Sequence, residues 1–369
     1  MGIAISRSKA NLISAIVVIV ALSLLPVISA PQTWVLYLFL FLTYLTLANM
    51  WNLLAGYCGL ISLCQPAFIG LAGYTLAIFA WVGLPFYLGV VAGAFVAAVF
   101  AVLISIPVFR LRGIYFAIGT IVLPEILRIL FLMWRPVGGL MYGKGAGYPV
   151  KGATSVSASE TYWLTLIIGI GSILAMRYIL RSNLGLALAT IRDNEGTAAS
   201  SGINVFKLKV YSFVISAFIT GLAGAAFYIS QGFIEPTSAF SVQWTMTLML
   251  ATVIGGISIE HGPIVGSVVV VILHFLLARY SGFSMLIQGI ILIFIMLVAP
   301  NGILGTLRKT PPSWSLLNML QVSPKSQNHE IVECLSHHDE MREKSKERSR
   351  KDLEKMEVVN GRKREEAQK

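Results

Sequence analysis

Few side chains in the first 309 residues of this 369-residue chain could carry out covalent chemistry. Histidine occurs there only at His261 and His274, and no cysteine or carboxylate is spaced with either of them as metal ligands are. No serine, histidine and aspartate set suggests a nucleophile with its base. The sequence therefore predicts no catalytic residue, no metal and no cofactor, and it argues against an enzyme.

Glu125 and Arg128 are the only opposite charges that lie close together inside an apolar segment. Because they are three residues apart, they share a helix face and can form an ion pair. Pro124, just before them, removes a backbone hydrogen bond and can kink the helix. Charges inside apolar segments commonly mark the path of a solute, so both are candidate pathway residues. The alternative is that they only neutralise each other where helices meet.

A second candidate pathway begins near residue 60, where glycine, proline and polar residues interrupt an apolar run. Ser62, Gln65 and Phe68 are its candidate lining residues. The segment is predicted to be a broken helix, which is tolerated at membrane depth where it lines a cavity or lies inside protein. The alternative is close helix packing through small residues, as at Gly221 and Gly224.

The polar stretch 184–209, hereafter the island, groups five charged side chains between two apolar segments. Arg192 lies among them. Asp193 or Asn194 is predicted to cap a short helix through a side-chain oxygen. Glu195 would then lie in the first turn, where the helix dipole favours a negative charge.

The island also contains a predicted stop signal. Gly202 supplies the left-handed residue that ends a helix, and Ile203 can fold back toward Ala198. The small residues Ala198 and Ala199 allow close approach to a groove. The pattern is typical of a preformed helix that docks a soluble partner, and the alternative is an ordinary basic loop.

Long apolar segments must position these residues. The chain is 56% hydrophobic and 12% charged, with a mean hydropathy of +0.77, which is typical of a protein that crosses a membrane many times. The sequence predicts an all-α transmembrane bundle of about ten spans, some of them broken or re-entrant. The predicted spans lie near residues 11–29, 34–55, 60–81, 86–108, 113–134, 162–180, 211–231, 244–258, 263–280 and 283–299.

Basic residues at the ends of the spans predict the orientation. With the N-terminus inside, ten arginines and lysines fall at cytoplasmic ends and four at external ends, so both termini are predicted to be cytoplasmic. Residues 1–309 then form the membrane domain, with the island in the cytoplasm and 135–161 as a long, flexible external loop. The first span is either a retained helix or a signal peptide, and the later spans keep the same orientation in both cases.

Residues 310–369 are polar and nearly balanced in charge. They are predicted to form a cytoplasmic tail that is disordered or partly helical. Of the formal net charge of +11, +10 therefore belongs to the first 309 residues, where basic loops set the orientation, and no nucleic-acid binding is predicted. The loop segment 138–145 nearly spells a phosphate-binding P-loop. Gly145 replaces the Ser or Thr that would hold magnesium, so no nucleotide site is predicted.

Five stretches carry a joint pattern. They are Asn52-Leu-Leu-Ala-Gly-Tyr57 with Gly59-Leu-Ile-Ser-Leu63, Leu111-Arg-Gly-Ile-Tyr-Phe-Ala117 with Glu125-Ile-Leu-Arg128, Ala189-Thr-Ile-Arg-Asp-Asn-Glu195 with Ser201-Gly-Ile-Asn204, Gly255-Gly-Ile257 with Gly262-Pro-Ile-Val-Gly266, and Ala299-Pro-Asn-Gly-Ile-Leu-Gly305. In this order, over roughly residues 45–309, they resemble the permease subunits of branched-chain amino acid ABC importers. The resemblance is specifically to the larger of the two paired permeases.

That resemblance implies a multi-pass inner-membrane permease that imports leucine, isoleucine or valine and performs no covalent chemistry. It implies a second permease, two cytoplasmic ATP-binding subunits that hydrolyse ATP, and an external solute-binding protein as partners, all within membrane lipid. It also implies that the island contains the loop that engages the ATPase. The matching positions are Arg192, Asp193, Asn194, Glu195, Ala198, Ala199, Gly202 and Ile203.

Two departures from the family pattern leave the solute open. Family members commonly carry Gly-His where this chain has Cys64-Gln65, and Thr where this chain has Val137. Related permeases carry urea and short amides, which is the alternative within the family. A secondary transporter is the alternative of another class. It would need coupling carboxylates at mid-membrane, where only Glu125 qualifies.

Overall fold

The computed structural model describes residues 31–111, 113–134, 143–277, 283–298 and 302–309, together with the single positions Ser23, Pro26 and Val137. The predicted first span near 11–29, apart from two isolated positions, lies outside the described residues. So do residues 138–142 of the P-loop-like segment and the whole predicted tail 310–369.

Helices make up most of the described chain. They are α1 (Gln32–Asn52), α2 (Gln65–Val82), α3 (Phe86–Val108), α4 (Ile114–Met133), α5 (Ala158–Arg181), α6 (Asn183–Asp193), α7 (Glu195–Ser200), α8 (Val205–Gln231), α9 (Pro236–Ala239), α10 (Val242–Gly255), α11 (Gly262–Leu277), α12 (Ser284–Val298) and α13 (Gly302–Lys309). Eight segments of the described chain are long and apolar enough to cross a membrane, and α11 is apolar but shorter. Each predicted span from the second to the tenth contains one of these helices, which confirms the helical bundle there.

Local signals set where several helices begin and end. The Glu160 N–H donates to Ser157 Oγ (3.1 Å), so Ser157 caps α5. Ser241 caps α10 in the same way, accepting from the Gln243 N–H (3.2 Å). Helix α8 ends at Gly232, whose φ of +65° lies in the left-handed region that glycine adopts without steric cost. Side chains and glycine thus fix these helix ends locally.

Helices α2, α3 and α8 form the centre of the bundle and contact one another closely. A Cβ atom at Gly224 of α8 would lie 2.8 Å from Ile69 Cα, and one at Gly93 of α3 would lie 2.7 Å from the Ala72 carbonyl oxygen. Small residues therefore let the backbones meet. Van der Waals contact between such surfaces is what holds helices together where lipid removes most of the hydrophobic driving force.

Helix α1 lies beside this centre and contacts α5, α8, α10 and α11. Helices α10 and α11 form a hairpin so close that a Cβ at Gly266 of α11 would overlap the Ala251 carbonyl oxygen of α10. Helix α13 closes on the same hairpin, since a Cβ at Gly302 would overlap the backbone of Gly256. Helices α10 and α11 are thus held as one tightly joined unit.

The loop between α4 and α5 carries structure that the sequence did not predict. Strand β1 (Tyr148–Pro149) pairs antiparallel with β2 (Phe233–Ile234), so the prediction of a purely α-helical fold is wrong at these two short strands. Tyr148 is buried in the core, and the Trp81 Nε1–H donates to the Pro149 carbonyl (2.9 Å). Lys151 Nζ lies 3.6 Å from the centroid of the Trp81 ring. These contacts hold residues 148–151 on the bundle.

We expect Gly266→Ala to destabilise the protein, because the added methyl group would meet the Ala251 carbonyl and force α10 and α11 apart. Overpacking of this kind costs about 1–3 kcal/mol in the free energy of unfolding. The melting temperature of the detergent-solubilised protein, followed by size-exclusion chromatography after heating, should fall by several degrees. Gly171→Ala is the matched control, because no atom lies within 4 Å of a Cβ placed there. Equal melting temperatures for the two variants would contradict this packing.

Candidate functional site

The third span, predicted as a broken helix, contains the uninterrupted helix α2 from Gln65 to Val82. The irregular chain lies before that helix, at the end of α1, and we call it the break. Helix α1 widens at its end into a π-turn, Leu53–Tyr57. Residues 58–64 then run without helix to the start of α2 at Gln65. The chain thus enters α2 through seven non-helical residues, whose backbone groups need partners outside a helix.

Side chains from three helices supply those partners. The Trp51 Nε1–H donates to the Ser62 carbonyl (2.9 Å). The Leu63 N–H donates to Thr120 Oγ1 of α4 (3.1 Å), and the Leu63 carbonyl accepts from Thr245 Oγ1 of α10 (3.4 Å). The backbone at Ser62 and Leu63 therefore finds its partners inside the protein, whereas Gly59 and Ile61 are exposed. Irregular backbone is tolerated at membrane depth where protein supplies such partners.

The three candidate lining residues of the break are completely buried. Ser62 Oγ lies 3.4 Å from Gln65 Oε1, and Gln65 Nε2 has no hydrogen-bond partner among the described residues. Phe68 contacts the rings of Phe100 and Phe213 edge to face. Ser62 and Gln65 thus form a small polar group with an unused donor, whereas Phe68 occupies a packing position in the core.

Glu125 and Arg128 form the predicted ion pair, with Arg128 Nε 2.9 Å from Glu125 Oε2 and a second contact between Nη2 and Oε1. Their side chains keep 49% and 30% of their surface exposed, so the pair points away from the bundle. Pro124 is buried within α4 without ending the helix. The structure does not bring this pair to the break, which α4 contacts instead through Thr120.

An exposed apolar stripe accompanies the ion pair along α4. Its members recur at helical spacing and are Tyr115, Ile118, Val122, Ile126, Ile129 and Met133. Residues three and four apart share one helix face, so Glu125 lies within this stripe. The outward face of α4 is therefore apolar apart from one ion pair.

The island folds as two short helices, α6 and α7. Asn194 Oδ1 accepts from the Gly196 and Thr197 N–H groups (2.9 and 3.1 Å), so Asn194 is the cap of α7, and Asp193 is not. At the other end Gly202 has a φ of +80°. The Ile203 N–H donates to the Ala198 carbonyl (3.1 Å), which is the predicted helix stop. The predicted capped helix is confirmed.

Arg192 ties the island to the rest of the protein. Its Nη1 donates to the carbonyl of Gly56 in the π-turn (3.2 Å) and to Ser258 Oγ in the loop between α10 and α11 (3.3 Å). Its Nε and Nη2 both donate to Asp193 Oδ1. Arg192 therefore joins α6 to two elements that are distant in the sequence.

Two further hydrogen bonds of Ser258 lie next to Arg192. Ser258 Oγ donates to the Gly56 carbonyl (2.7 Å), and the Ser258 N–H donates to Asn52 Oδ1 (3.0 Å). A Cβ at Gly56 would lie 2.8 Å from the Ser258 nitrogen, so only glycine fits. We name the cluster of Asn52, Gly56, Arg192 and Ser258 the latch. Asn52 and Gly56 lie in a stretch that the sequence had singled out, whereas Ser258 carried no signal.

The faces of α7 differ from the prediction. Glu195 pairs with Lys209 of α8, most of whose side chain is buried. Ala198 is completely buried, so it cannot offer the small outward surface predicted for it. Asp193 and Ala199 are exposed. Glu195 and Ala198 therefore position α7 on the bundle, and a partner would meet the face that carries Ala199.

Among the described residues, no cluster of histidine, cysteine, aspartate and glutamate could hold a metal ion. The contacts that the side chains of the break, the island and the latch make are hydrogen bonds, ion pairs and aromatic packing.

The sequence profile of the family described as "Branched-chain amino acid transport system / permease component" matches residues 33–299. This range runs from α1 to the end of α12 and includes the break, the island and the latch. No solved structure matches the chain.

Individual relatives agree with that family. The high-affinity branched-chain amino acid transport system permease protein LivM of Salmonella typhimurium is 28% identical over 291 residues, which are 72% of this chain and 68% of LivM. The corresponding LivH protein of Escherichia coli is 27% identical over 156 residues, 42% of this chain and 49% of LivH. The ribose import permease protein RbsC of Haemophilus influenzae is 30% identical over 138 residues, 35% of this chain and 42% of RbsC.

We expect Glu195→Gln to loosen α7, because it leaves the mostly buried Lys209 ammonium without its carboxylate. The loss should be about 1–3 kcal/mol of local stability, visible as faster amide hydrogen exchange in residues 195–203. The double substitution Glu195→Lys with Lys209→Glu should restore slow amide hydrogen exchange. Asp193→Asn is the control, since its carboxylate is exposed and bonds only to neighbouring Arg192. Unchanged exchange in the Glu195→Gln protein would show that the pair does not hold α7.

Proposed function

We propose that this chain, which belongs to the family of permease components of branched-chain amino acid transport systems, carries leucine, isoleucine and valine across the inner membrane as part of an ATP-driven importer. The chain is a multi-pass membrane protein and a permease subunit. A second permease, two cytoplasmic ATP-binding subunits and an external solute-binding protein would complete the importer. Hydrolysis of ATP would belong to the ATP-binding subunits.

The single observation that carries this proposal is the way the island is held. Helix α7 is preformed by its own cap and stop, and it presents an exposed face. Behind it, Arg192 bonds to the π-turn of α1 and to the loop between α10 and α11. A push on α7 from a soluble partner would therefore reach α1 and α10 directly. That is the arrangement required for a coupling helix that an ATPase moves.

The orientation supports the same assignment. The excess of arginine and lysine at the island end of the spans favours placing the island, and both termini, in the cytoplasm. There α7 would meet ATP-binding subunits. The loop that carries β1 would then face the solute-binding protein on the other side.

We place the second permease on the outward face of α4. The apolar stripe alone would suit lipid, but Glu125 and Arg128 lie within it with half and a third of their surfaces exposed. Placing an ion pair against hydrocarbon is costly, so such charges face a bundle interior or a watery path. A neighbouring permease would cover the pair. Matches to both LivM and LivH support two different permeases in one importer.

The alternatives have less support. Among the described residues of the spans, Glu125 is the only carboxylate near mid-membrane, and it is already neutralised by Arg128, which disfavours a proton- or ion-coupled secondary transporter. Urea or short amides remain the alternative within the family. The similarity to RbsC covers a smaller share of the chain than that to LivM, so amino acids are favoured over sugars.

The function is tested by isolating the importer. A tagged chain, expressed with its neighbouring genes, should copurify with a second permease and an ATP-binding subunit. Vesicles containing the complex and the solute-binding protein should take up labelled leucine only with ATP, and uptake should survive a proton uncoupler. Uptake that follows the proton gradient and needs no ATP would favour the secondary transporter. Uptake of urea without leucine would favour the amide alternative.

We expect Ala199→Arg to uncouple ATP hydrolysis from transport, because Ala199 lies on the exposed face of α7 that would enter a groove of the ATPase. Arginine near the C-terminal end of a helix is compatible with the helix dipole, so α7 itself should persist. Leucine uptake by the reconstituted complex should fall at least about tenfold, the effect of ~1.4 kcal/mol at the contact.

The matched control is Ala158→Arg, which places the same side chain at the exposed start of α5, at the opposite end of the bundle. It should transport like the parent. Normal uptake and ATPase copurification in the Ala199→Arg complex would show that this face of α7 does not couple.

We expect Glu125→Gln to lower leucine uptake several-fold while the protein stays in the membrane, because it leaves Arg128 unpaired at the proposed permease contact. A cysteine at Ile129, on the same exposed stripe, should cross-link to the second permease. A cysteine at exposed Leu174 of α5 is the control. If Glu125→Gln combined with Arg128→Gln restores full uptake, the pair only neutralises itself.

A further inference from the structure

A polar cavity lies at the end of the bundle opposite the island. Helix α8 leaves the island at Val205 and runs for 27 residues, roughly 40 Å, to Gln231. β2 follows and pairs with β1, and the cavity opens beside it among α1, α8, α10, α11 and α12. Its volume is about 470 Å³, within the range of small-molecule sites, about 300–1,000 Å³. None of the candidate pathway residues lines it.

Aromatic rings form one wall of the cavity. Phe227 and Trp244 lie edge to face with their centroids 4.9 Å apart, and Tyr44 lies 6.4 Å from the same tryptophan. An aromatic wall accepts an apolar side chain, and ring faces also attract an organic cation.

One carboxylate lines the cavity and has no partner among the described residues. Glu235 is half-buried, and its carboxylate makes no hydrogen bond or ion pair with any described residue. The described residues around the cavity include no lysine or arginine, and their one basic side chain is His274. A partly desolvated carboxylate with no lysine or arginine beside it favours a ligand that brings a positive charge.

Two glutamine amides at the same cavity can donate hydrogen bonds to a negatively charged ligand group. Gln288 is buried, and its Oε1 lies 3.3 Å from Thr247 Oγ1, whose one proton is shared between this oxygen and the Gln243 backbone carbonyl (2.9 Å). That bond uses the carbonyl oxygen, and Gln288 Nε2 makes no hydrogen bond with any described residue. Gln243 lines the same cavity with an exposed amide. Amide N–H groups donate, so they suit a carboxylate ligand.

We propose that this cavity is a binding site for the transported amino acid within this one chain. The α-ammonium group pairs with Glu235, the apolar side chain lies against Phe227 and Trp244, and the carboxylate accepts from Gln288. The site is separate from the contact with the second permease at α4. It would receive solute on the side of the solute-binding protein.

The proposal rests on the proposed function, since the ligand is the solute of the importer. It also sharpens that function, because an unpaired carboxylate serves an ammonium group and offers no such pairing to urea or a sugar. The ligand chemistry therefore discriminates among the solutes of this family.

The first experiment uses the parent complex in lipid nanodiscs without the solute-binding protein. Labelled leucine is the probe, and two analogues compete: 3-methylbutylamine, which keeps the ammonium, and 4-methylpentanoate, which keeps only the carboxylate. The amine should displace leucine at least about tenfold better than the acid, a difference of ~1.4 kcal/mol. Equal displacement, or no leucine binding by a complex that transports leucine, would overturn the proposal.

The second experiment uses variants in reconstituted uptake. Glu235→Gln should raise the leucine concentration for half-maximal uptake at least about tenfold, with less change in the maximal rate. Glu235→Asp should recover part of the loss, since it keeps the charge. Glu160→Gln is the matched control, a glutamate exposed at the same end of the bundle but outside the cavity. It should match the parent.

The affinity of the complex for the solute-binding protein is measured in parallel. It should be the same for the Glu235→Gln complex as for the parent. A loss of that affinity would mean that Glu235 docks a basic side chain of the solute-binding protein, and would overturn the proposal. If the parent complex transports no amino acid, the proposed function itself is rejected. If the parent transports leucine and the Glu235→Gln complex transports it equally well, only the proposed cavity site is rejected. If Glu235→Gln does not reach the membrane, the competition experiment decides.

Discussion

The architecture depends on one constraint: backbone N–H and C=O groups that leave a helix at membrane depth must find partners inside the protein. Here α1 and α2 are separated by a π-turn and seven non-helical residues. Their partners come from side chains of α1, α4, α6 and α10, through Trp51, Thr120, Arg192 and Thr245. Each of these helices is thereby fixed relative to the break, so one interruption in the chain organises much of the bundle around it.

The same constraint connects the island to the bundle. The Gly56 carbonyl is left over by the π-turn, and it accepts from Arg192 and from Ser258. Hydrogen bonds from a charged donor are stronger than those between neutral groups, which favours this contact. The Gly56 carbonyl therefore acts as the common anchor of α1, the island and the α10–α11 loop. A coupling element needs such an anchor, because a helix attached only by its own chain ends would move without moving the bundle.

Local features of this chain were predictable from its sequence, and long-range ones were not. The cap at Asn194 and the stop at Gly202 depend on residues within one or two turns, and both are found where the sequence predicts them. The partners of Arg192 lie 136 and 66 positions away, at Gly56 and Ser258. Only the fold brings them together. The sequence did not predict the inward placement of Ala198 or the pairing of β1 with β2 for the same reason. The spacing of apolar residues in a six-residue helix or a glycine-rich loop does not show which face is covered by the rest of the protein.

Helix α10 directly connects the cavity with the latch at the other end of the bundle. Its first turn carries Gln243 at the cavity, and after 14 residues, roughly 21 Å, it enters the loop that holds Ser258 in the latch. The glycine contacts with α11 leave it little room to bend. Under the proposed coupling role of the island and the proposed solute site, thermodynamic linkage makes this connection reciprocal: the free energy by which movement of the island changes solute affinity equals the free energy by which bound solute changes that movement. A filled cavity would then be sensed at the island end of the bundle.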